Sequence, residues 1–260
     1  MDSLLQPLLE VCLDKAVVVF GDVHGRSDKL LALFDLAYQR YPGMELQFHT
    51  LGDLIDRGPD SKGVLDLCVE HQVQGIIGNH ELWFLHALSP QGVVEDAILA
   101  PIMGSVETLY SWDVDVTGTP ENRAAQLRAG VTAGHRMFLS GLDLIKSIHA
   151  GGKFWYLIHA GVTKSLYNRV ASVTGPIYDD GILLKVLAQS FHESILWSSP
   201  DLKNMHRFQS GVQILGHKPI SKPIIEDHFV ALDTGCGTCH PNKLSALIIL
   251  PDGSLENLSV

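Results

Sequence analysis

The chain has 260 residues, 46% of them hydrophobic, and carries a formal net charge of −10 at pH 7. This length suits one α/β domain with a sizeable core. Nucleic acids and anionic membrane surfaces do not attract an acidic chain, so the charge argues against a nucleic-acid or membrane partner.

The N-terminus shows neither a basic segment nor a long apolar stretch, so no signal peptide is expected. No window approaches the ~18 consecutive apolar residues that a membrane span needs. The four cysteines, Cys12, Cys68, Cys236 and Cys239, are irregularly spaced, which is typical of reduced thiols. We therefore expect a cytoplasmic protein.

The first half of the chain alternates between predicted strands and helices. Apolar runs predict buried strands at Ala16–Phe20, Gln47–Leu51 and Gln74–Ile77. An amphipathic helix is expected after a cap at Ser27 or Asp28, and a second opens at Pro59-Asp60-Ser61. The second helix is expected to turn inward Val64, Leu65, Cys68 and Val69. Right-handed crossovers would make the three strands parallel neighbours, with their carboxyl ends at one edge.

A polar motif follows each of these strands. The motifs are Gly21-Asp22-Val23-His24-Gly25, Gly52-Asp53-Leu54-Ile55-Asp56-Arg57-Gly58 and Gly78-Asn79-His80-Glu81. Ligands bind at the carboxyl ends of strands in open α/β sheets. Carboxylate, carboxamide and imidazole groups suit divalent Mn, Fe or Zn. With an arginine among them, the motifs predict a metal site that acts on phosphate.

Residues 82–141 read as helix and loop, and we expect this insertion to form a cap beside the site. Thr119-Pro120 is typical of a helix start and leads into a predicted helix over Arg123–Leu144. From Asp143 onward the chain reads as β-rich. The predicted strands are Leu144–Ile148, Phe154–Ile158, Val212–Leu215, Phe229–Leu232 and Leu244–Leu250. This order predicts a two-sheet α/β sandwich in a single domain spanning residues 1–260.

The motifs GDVHG, GDLIDRG and GNHE resemble, in this order, the signature blocks of the phosphoprotein phosphatase (PPP) family of metallophosphoesterases. His159-Ala160-Gly161 and Gly216-His217, each after a strand-like segment, fit the same pattern. The layout is most similar to the compact bacterial and bacteriophage lambda Ser/Thr protein phosphatases. The resemblance implies an α/β/β/α metallophosphoesterase sandwich with a helical cap insertion.

The resemblance also implies a dinuclear centre of two divalent metal ions, with Mn²⁺ favoured and Fe or Zn as alternatives. One ion would be held by Asp22, His24 and Asp53, and the other by Asp53, Asn79, His159 and His217. A hydroxide bridging the two ions would attack phosphorus directly.

Three further roles follow from the same resemblance. Arg57 would bind the substrate phosphate together with Asn79 and His80. His80 would protonate the leaving group, and Asp56 would orient its ring.

The pattern is incomplete at one place. Relatives carry a second phosphate-binding arginine near a Trp-Ser segment, but no arginine directly follows Trp197-Ser198 here. Arg207 is the nearest candidate for phosphate binding, and Arg169 is a poorer one.

Two motifs admit a second interpretation. His149-Ala150-Gly151 repeats the tripeptide at His159, but the glycines that follow predict a hairpin turn, so His159 is favoured as the ligand. Cys236-Gly237-Thr238-Cys239-His240 matches a haem-attachment motif. Chance, or a redox-sensitive thiol pair, is the preferred interpretation.

We therefore predict a monomeric hydrolase that removes phosphate from phosphoproteins or phosphopeptides on Ser/Thr, with Tyr as a further target. The alternative is a symmetrical diadenosine tetraphosphate hydrolase, a nucleotide enzyme. Asp56 and Glu81 favour the protein phosphatase. A phosphate-binding or scaffolding protein without catalysis is a third hypothesis.

Overall fold

The computed structural model describes residues 9–12, 14–238 and 242–260. Within these ranges the strands are β1 (Leu9–Cys12), β2 (Ala16–Phe20), β3 (Leu46–Thr50), β4 (Gln74–Gly75), β5 (Ile145–Ala150), β6 (Lys153–Ile158), β7 (Gly211–Leu215), β8 (Ile224–Ile225), β9 (Phe229–Ala231), β10 (Ser245–Ile249) and β11 (Leu255–Ser259). They form a six-stranded sheet in the order β1-β5-β6-β7-β9-β8 and a five-stranded sheet in the order β11-β10-β2-β3-β4.

The helices cover the outer faces of the two sheets. They are α1 (Ser27–Arg40), α2 (Ser61–Glu70), α3 (His80–Leu88), α4 (Ser105–Ser111), α5 (Pro120–Gly130), α6 (Ala133–Ser140), α7 (Lys164–Thr174), α8 (Asp180–Ser190) and α9 (His192–Trp197). Across the described part of the chain, none of the helices has the length and apolar character needed to cross a bilayer.

The alternation of side chains along the strands builds four layers. Val17 and Val19 of β2 pack against Trp155 and Leu157 of β6, so the two sheets share one apolar interior. The residues between them on each strand face outward. Val18 of β2 packs in the core under α1 and α2. The outward-facing residues of β6 pack in a separate core under α7 and α8. Every residue of β2 is buried, as expected for a strand covered on both faces. The predicted α/β/β/α sandwich is confirmed.

Several local predictions are confirmed. β2, β3 and β4 are parallel neighbours, so their carboxyl ends lie at one edge. Asp60 caps α2 by accepting the Gly63 N–H at 2.8 Å. Gly151 and Gly152, with φ of 56° and 73°, form the turn between antiparallel β5 and β6. Insertion 82–141 is helical.

Other predictions were wrong in detail. Arg26, and neither Ser27 nor Asp28, occupies the N-cap of α1, because Ser27 is already helical and donates its hydroxyl to Asp60. Val69 is 38% exposed on α2. The helix predicted over 123–144 is two helices, since the chain is extended at Val131 before Thr132 caps α6.

The interval between β6 and β7 holds α7, α8 and α9, a helical region that the β-rich prediction missed. Its signals were present in the sequence. Thr163 and Asp179 cap α7 and α8 through their side chains, and Leu166 and Val170 are buried at helical spacing. β1, β8 and β11 were also missed, and all three are edge strands of their sheets.

Candidate active site

Side chains from both sheets meet at one rim. Asp22 and His24 follow β2, Asp53 follows β3, and Asn79 follows the short β4. From the other sheet, His159 follows β6 directly, and the residue after β7 is Gly216, which precedes His217. The carbonyl oxygen of Asp53 accepts the N–H groups of Val23 and His24, both at 3.0 Å, which ties the ends of β2 and β3 together.

The first ligand group centres on Asn79. Its Oδ1 lies 3.0 Å from His159 Nε2 and 3.0 Å from His217 Nδ1. The two imidazole nitrogens are 3.1 Å apart, and His159 Nε2 is 3.4 Å from Asp53 Oδ1. The Asp53, His159 and His217 donor atoms are close enough to share one ion.

The second group lies on the other side of Asp53. Asp53 Oδ2 is 3.7 Å from His24 Nε2 and 4.0 Å from His80 Nε2. The Asp22 carboxylate is linked to the first group, because it accepts the His217 N–H at 3.1 Å. The structure thus brings together every residue predicted to hold metal, with Asp53 between the two groups.

The hydrogen bonds of two histidines fix which ring nitrogen faces the site. A backbone carbonyl can only accept, so His159 Nδ1 donates to Leu51 O at 2.7 Å and His24 Nδ1 donates to Ile55 O at 2.9 Å. Each ring therefore turns Nε2 toward the site. A backbone carbonyl that accepts a hydrogen bond from the other ring nitrogen is a common support for metal-binding histidines.

The charges of the site also suit cations. Burial, followed by the charges of Asp233 and Asp53, raises the pKa of Asp22 well above its usual range. Burial disfavours a proton on His159, but Asp53 and then Asp22 outweigh it and raise its pKa to about 10. Burial lowers the pKa of His24 to about 3, so this imidazole is neutral and able to ligate. The donor set and its charge fit divalent metal ions.

Beside these groups lies a hydrogen-bonded pair, Asp56 and His80. Asp56 is fully buried, and its Oδ2 accepts bonds from His80 Nδ1 at 2.7 Å and from Trp83 Nε1 at 2.9 Å. Burial opposes protonation of His80, but Asp53 and Asp56 raise its pKa. The Trp83 side chain is therefore part of the site.

The Arg57 guanidinium spans the opening of the site. Its Nη1 lies 2.7 Å from His24 Nε2, and its Nη2 lies 3.1 Å from His80 Nε2. A phosphate bound by Arg57 would therefore lie next to the two candidate ligand groups and to Nε2 of His80.

The backbone is strained where the site is built. Among the described residues, eight non-glycine residues have positive φ, and five of them are His24, Asp53, Asp56, Arg57 and His217. Each such residue costs about 1–3 kcal/mol and persists only where its surroundings hold it. These left-handed conformations direct the side chains that follow three strands toward the same point.

The Glu81 side chain holds the backbone at Asp53 in place, a role that its position in the third motif did not reveal. Its carboxylate is fully buried and accepts the N–H groups of Asp53, Leu54 and Gly78 at 2.8–2.9 Å. Gly78 must be glycine, because a Cβ there would lie 2.1 Å from Asp53 Oδ1. Glu81 therefore holds two of the motifs together.

Three features singled out in the sequence lie away from the site or partly outside the residues that the structure describes. Arg207 pairs with Asp227 at 2.9 Å and lies with Phe154 and Val212, near the starts of β6 and β7, so it is not brought to the site. His149 lies in β5, ten residues before His159. Cys236 is buried and donates to Val23 O at 3.2 Å, while Cys239 and His240 lie outside the described residues.

Residues 15–115 match the model of the calcineurin-like phosphoesterase family. The chain is 35% identical over 104 residues to a zinc-dependent endopolyphosphatase of Saccharomyces cerevisiae, covering 38% of this chain and 32% of that protein. It is 41% identical over 71 residues to serine/threonine-protein phosphatase 1 of Salmonella typhimurium, covering 27% and 32%. A symmetrical bis(5'-nucleosyl)-tetraphosphatase of Acidovorax is 27% identical over 158 residues, covering 56% and 44%. The chain spans less than half the length of each of these relatives.

Solved structures share the fold over almost the whole chain. A crystal structure described as that of a diadenosine tetraphosphatase superimposes with a TM-score of 0.55 at 17% identity, covering 96% of this chain and 97% of that one. A protein serine/threonine phosphatase from Saccharomyces cerevisiae gives a TM-score of 0.54 at 16% identity, covering 99% and 85%. At this identity the two comparisons establish the architecture.

Proposed function

We propose that this chain is a metal-dependent phosphomonoesterase of the PPP type that acts on phosphoproteins, a proposal supported by the match of residues 15–115 to the calcineurin-like phosphoesterase family and by the similarity to serine/threonine-protein phosphatase 1. The observation that carries the proposal is the contact between Arg57 and His80. A phosphate-binding guanidinium lies 3.1 Å from the imidazole that would protonate the leaving oxygen. A monoester of serine or threonine needs that proton, because an alkoxide is a poor leaving group.

One divalent cation would be held by Asp53, His159 and His217, whose donor atoms lie together, and another by Asp22, His24 and Asp53, the set that the resemblance implies. These cations would supply Lewis-acid stabilisation and an attacking water of lowered pKa. Mn²⁺ is our choice, since carboxylate, carboxamide and imidazole donors suit it.

The protein's own groups supply the remaining chemistry. Arg57 would hold two phosphate oxygens and offset the charge that develops on them. Once the Arg57 N–H groups have turned from His80 Nε2 to the phosphate, protonated His80 would donate its Nε2 proton to the ester oxygen as the bond to phosphorus breaks. Asp56 accepts the Nδ1 hydrogen bond throughout, so it keeps the ring oriented and supports the imidazolium form.

The test is phosphate release by metal-free protein reloaded with Mn²⁺, from a phosphoserine peptide, a phosphotyrosine peptide and diadenosine tetraphosphate. His80→Asn and Asp53→Asn variants exclude a contaminant. We expect the phosphoserine peptide to be turned over by wild type alone. Binding without turnover, with metal present, would contradict an enzymatic role and support a phosphate-binding protein.

A second candidate function is cleavage of a dinucleoside tetraphosphate, the substrate named for the Acidovorax relative. A cavity of about 680 Å³ opens beside Arg57 and is lined also by Arg26 and Asn242. Such a cavity would suit a substrate that carries further phosphates beyond the one attacked. Release of ADP faster than phosphate release from either peptide would establish this order of preference.

A further inference from the structure

The helical insertion reaches into the active site through α4. Thr108, in the middle of α4, is fully buried, and its Oγ1 lies 2.6 Å from Asp56 Oδ1. The same oxygen lies 2.8 Å from the Asp56 N–H and 2.8 Å from Ser61 Oγ. One insertion side chain therefore touches the carboxylate and the main chain of the residue that holds His80.

The direction of each of these hydrogen bonds follows from the chemistry of the partners. An ionised carboxylate only accepts, so the single Thr108 hydroxyl proton goes to Asp56 Oδ1. Its two lone pairs then accept from the Asp56 N–H and from the Ser61 hydroxyl. The hydroxyl is fully used, with one bond donated and two accepted.

This arrangement gives the two carboxylate oxygens of Asp56 different hydrogen-bond partners. Oδ1 is held by Thr108, while Oδ2 accepts from His80 Nδ1 and Trp83 Nε1. Without a donor on Oδ1, the carboxylate could turn about its last torsion and weaken its alignment with the imidazole.

The insertion also holds the strained backbone at this point. Asp56 and Arg57 are consecutive residues with φ of 71° and 68°. Their N–H groups donate into the insertion, to Thr108 Oγ1 and to Gly104 O, both at 2.8 Å. Gly104 approaches so closely that a Cβ on it would lie 2.6 Å from Arg57 Cγ.

We propose that Thr108 is a positioning residue for catalysis: by binding both the carboxylate and the N–H of Asp56, it aligns the Asp56–His80 pair that protonates the leaving group. This inference rests on the proposed phosphatase function. A phosphate ester with a poor leaving group would depend on Thr108, whereas one with a good leaving group, which needs little protonation, would not.

The test compares a phosphoserine peptide with p-nitrophenyl phosphate for wild type, Thr108→Val and Thr108→Ser. In Thr108→Val we expect kcat for the peptide to fall by about tenfold or more relative to kcat for the aryl ester, a fraction of what acid catalysis supplies. Thr108→Ser restores the hydroxyl and should restore the ratio. The matched control is Ser111→Ala, which removes a hydroxyl from the same helix that bonds to Thr108 O and not to Asp56.

An equal loss on both substrates in Thr108→Val would mean that Thr108 serves only the fold, and would overturn the proposal.

If wild type cleaves neither substrate, the proposed function fails, and a second measurement still tests the role of Thr108. The Nδ1 proton of His80 in metal-free protein, assigned with His80→Asn, should give a slowly exchanging downfield NMR signal. We expect Thr108→Val to lose it and Thr108→Ser to keep it, and an unchanged signal in Thr108→Val would contradict the proposal.

Discussion

Glu81 Oε2 accepts the backbone N–H of Asp53 at 2.9 Å, a bond that joins the first turn of α3 to the residue shared by the two ligand groups. The side chain that orients Asp53 therefore comes from the motif that supplies Asn79 and His80. Asp53 can hold its left-handed conformation because its N–H has this buried, charged acceptor.

Glu81→Gln should weaken metal binding. The amide would turn an N–H₂ group toward backbone N–H donors, so Asp53 would lose its fixed position. We expect Mn²⁺ affinity to fall by about 10- to 100-fold, the usual effect of disturbing a support for metal ligands. Isothermal titration of metal-free protein measures this. Glu70→Gln, on the exposed end of α2, should bind Mn²⁺ as wild type does, and equal affinity in both variants would contradict the role of Glu81.

Arg57→Lys should lower kcat/KM for a phosphorylated peptide by about 100-fold, because an ammonium cannot make the paired bonds of a guanidinium. Steady-state kinetics with Mn²⁺ present measures the loss. The control is Arg207→Ala, since Arg207 is exposed and paired with Asp227. A similar loss in Arg207→Ala would mean that Arg207 contributes to phosphate binding despite its position.

Mn²⁺ should stabilise the folded protein, because the ligands come together only in the native state. At a concentration about 100 times the dissociation constant, binding adds about 2.7 kcal/mol to the free energy of unfolding. Chelator should remove this gain and the activity together. His159→Asn should lose most of the stabilisation, whereas His149→Asn, the other copy of the tripeptide, should retain it. Thermal unfolding of the two variants, with and without Mn²⁺, measures how much of the stabilisation each retains.

Tyr156→Phe should change how stability depends on pH. Burial, followed by the influence of Asp180, raises the pKa of Tyr156 to about 12, although its bond to Ser210 opposes the shift. In the unfolded chain the phenol ionises near pH 10, so wild type loses stability between about pH 10 and pH 12.

Phenylalanine has no such proton. Tyr156→Phe should therefore be less stable than wild type at pH 7, where it lacks the hydroxyl bonds to Asp180 and Ser210, and the difference should narrow above pH 10. Urea unfolding at pH 7, 9 and 11 provides the comparison. A constant difference across this range would show that the Tyr156 hydroxyl titrates alike in both states.

The meeting of the predicted metal ligands at one rim was predictable because each of them is local to its strand. Asp22, Asp53 and Asn79 follow apolar runs within a few residues, and parallel pairing then brings the strand ends together. The position of His159 was also predictable, since the glycines after His149 required a turn there.

What sequence reasoning missed depends on distant contacts. Thr108 lies 52 residues from Asp56, in a helix whose sequence gives no sign of which face meets the site. Trp83 reads as an ordinary core residue until its N–H is seen to reach Asp56. Arg207 was chosen for its place along the chain, but its side chain lies toward the starts of β6 and β7, whereas the ligands follow their ends.

The two sheets each supply part of one ligand set: Asp53 and Asn79 come from one, and His159 and His217 from the other. A cation held by all four would join the open ends of the sandwich, in addition to the hydrogen bonds that already link the sheets there, from His159 Nδ1 to Leu51 O and from the His217 N–H to Asp22. Local opening of either sheet at this rim would then require release of the ion. Hydrogen exchange at the carboxyl ends of β3 and β6 should therefore slow together when Mn²⁺ is added, because one bound ion would hold the two sheets together at this rim.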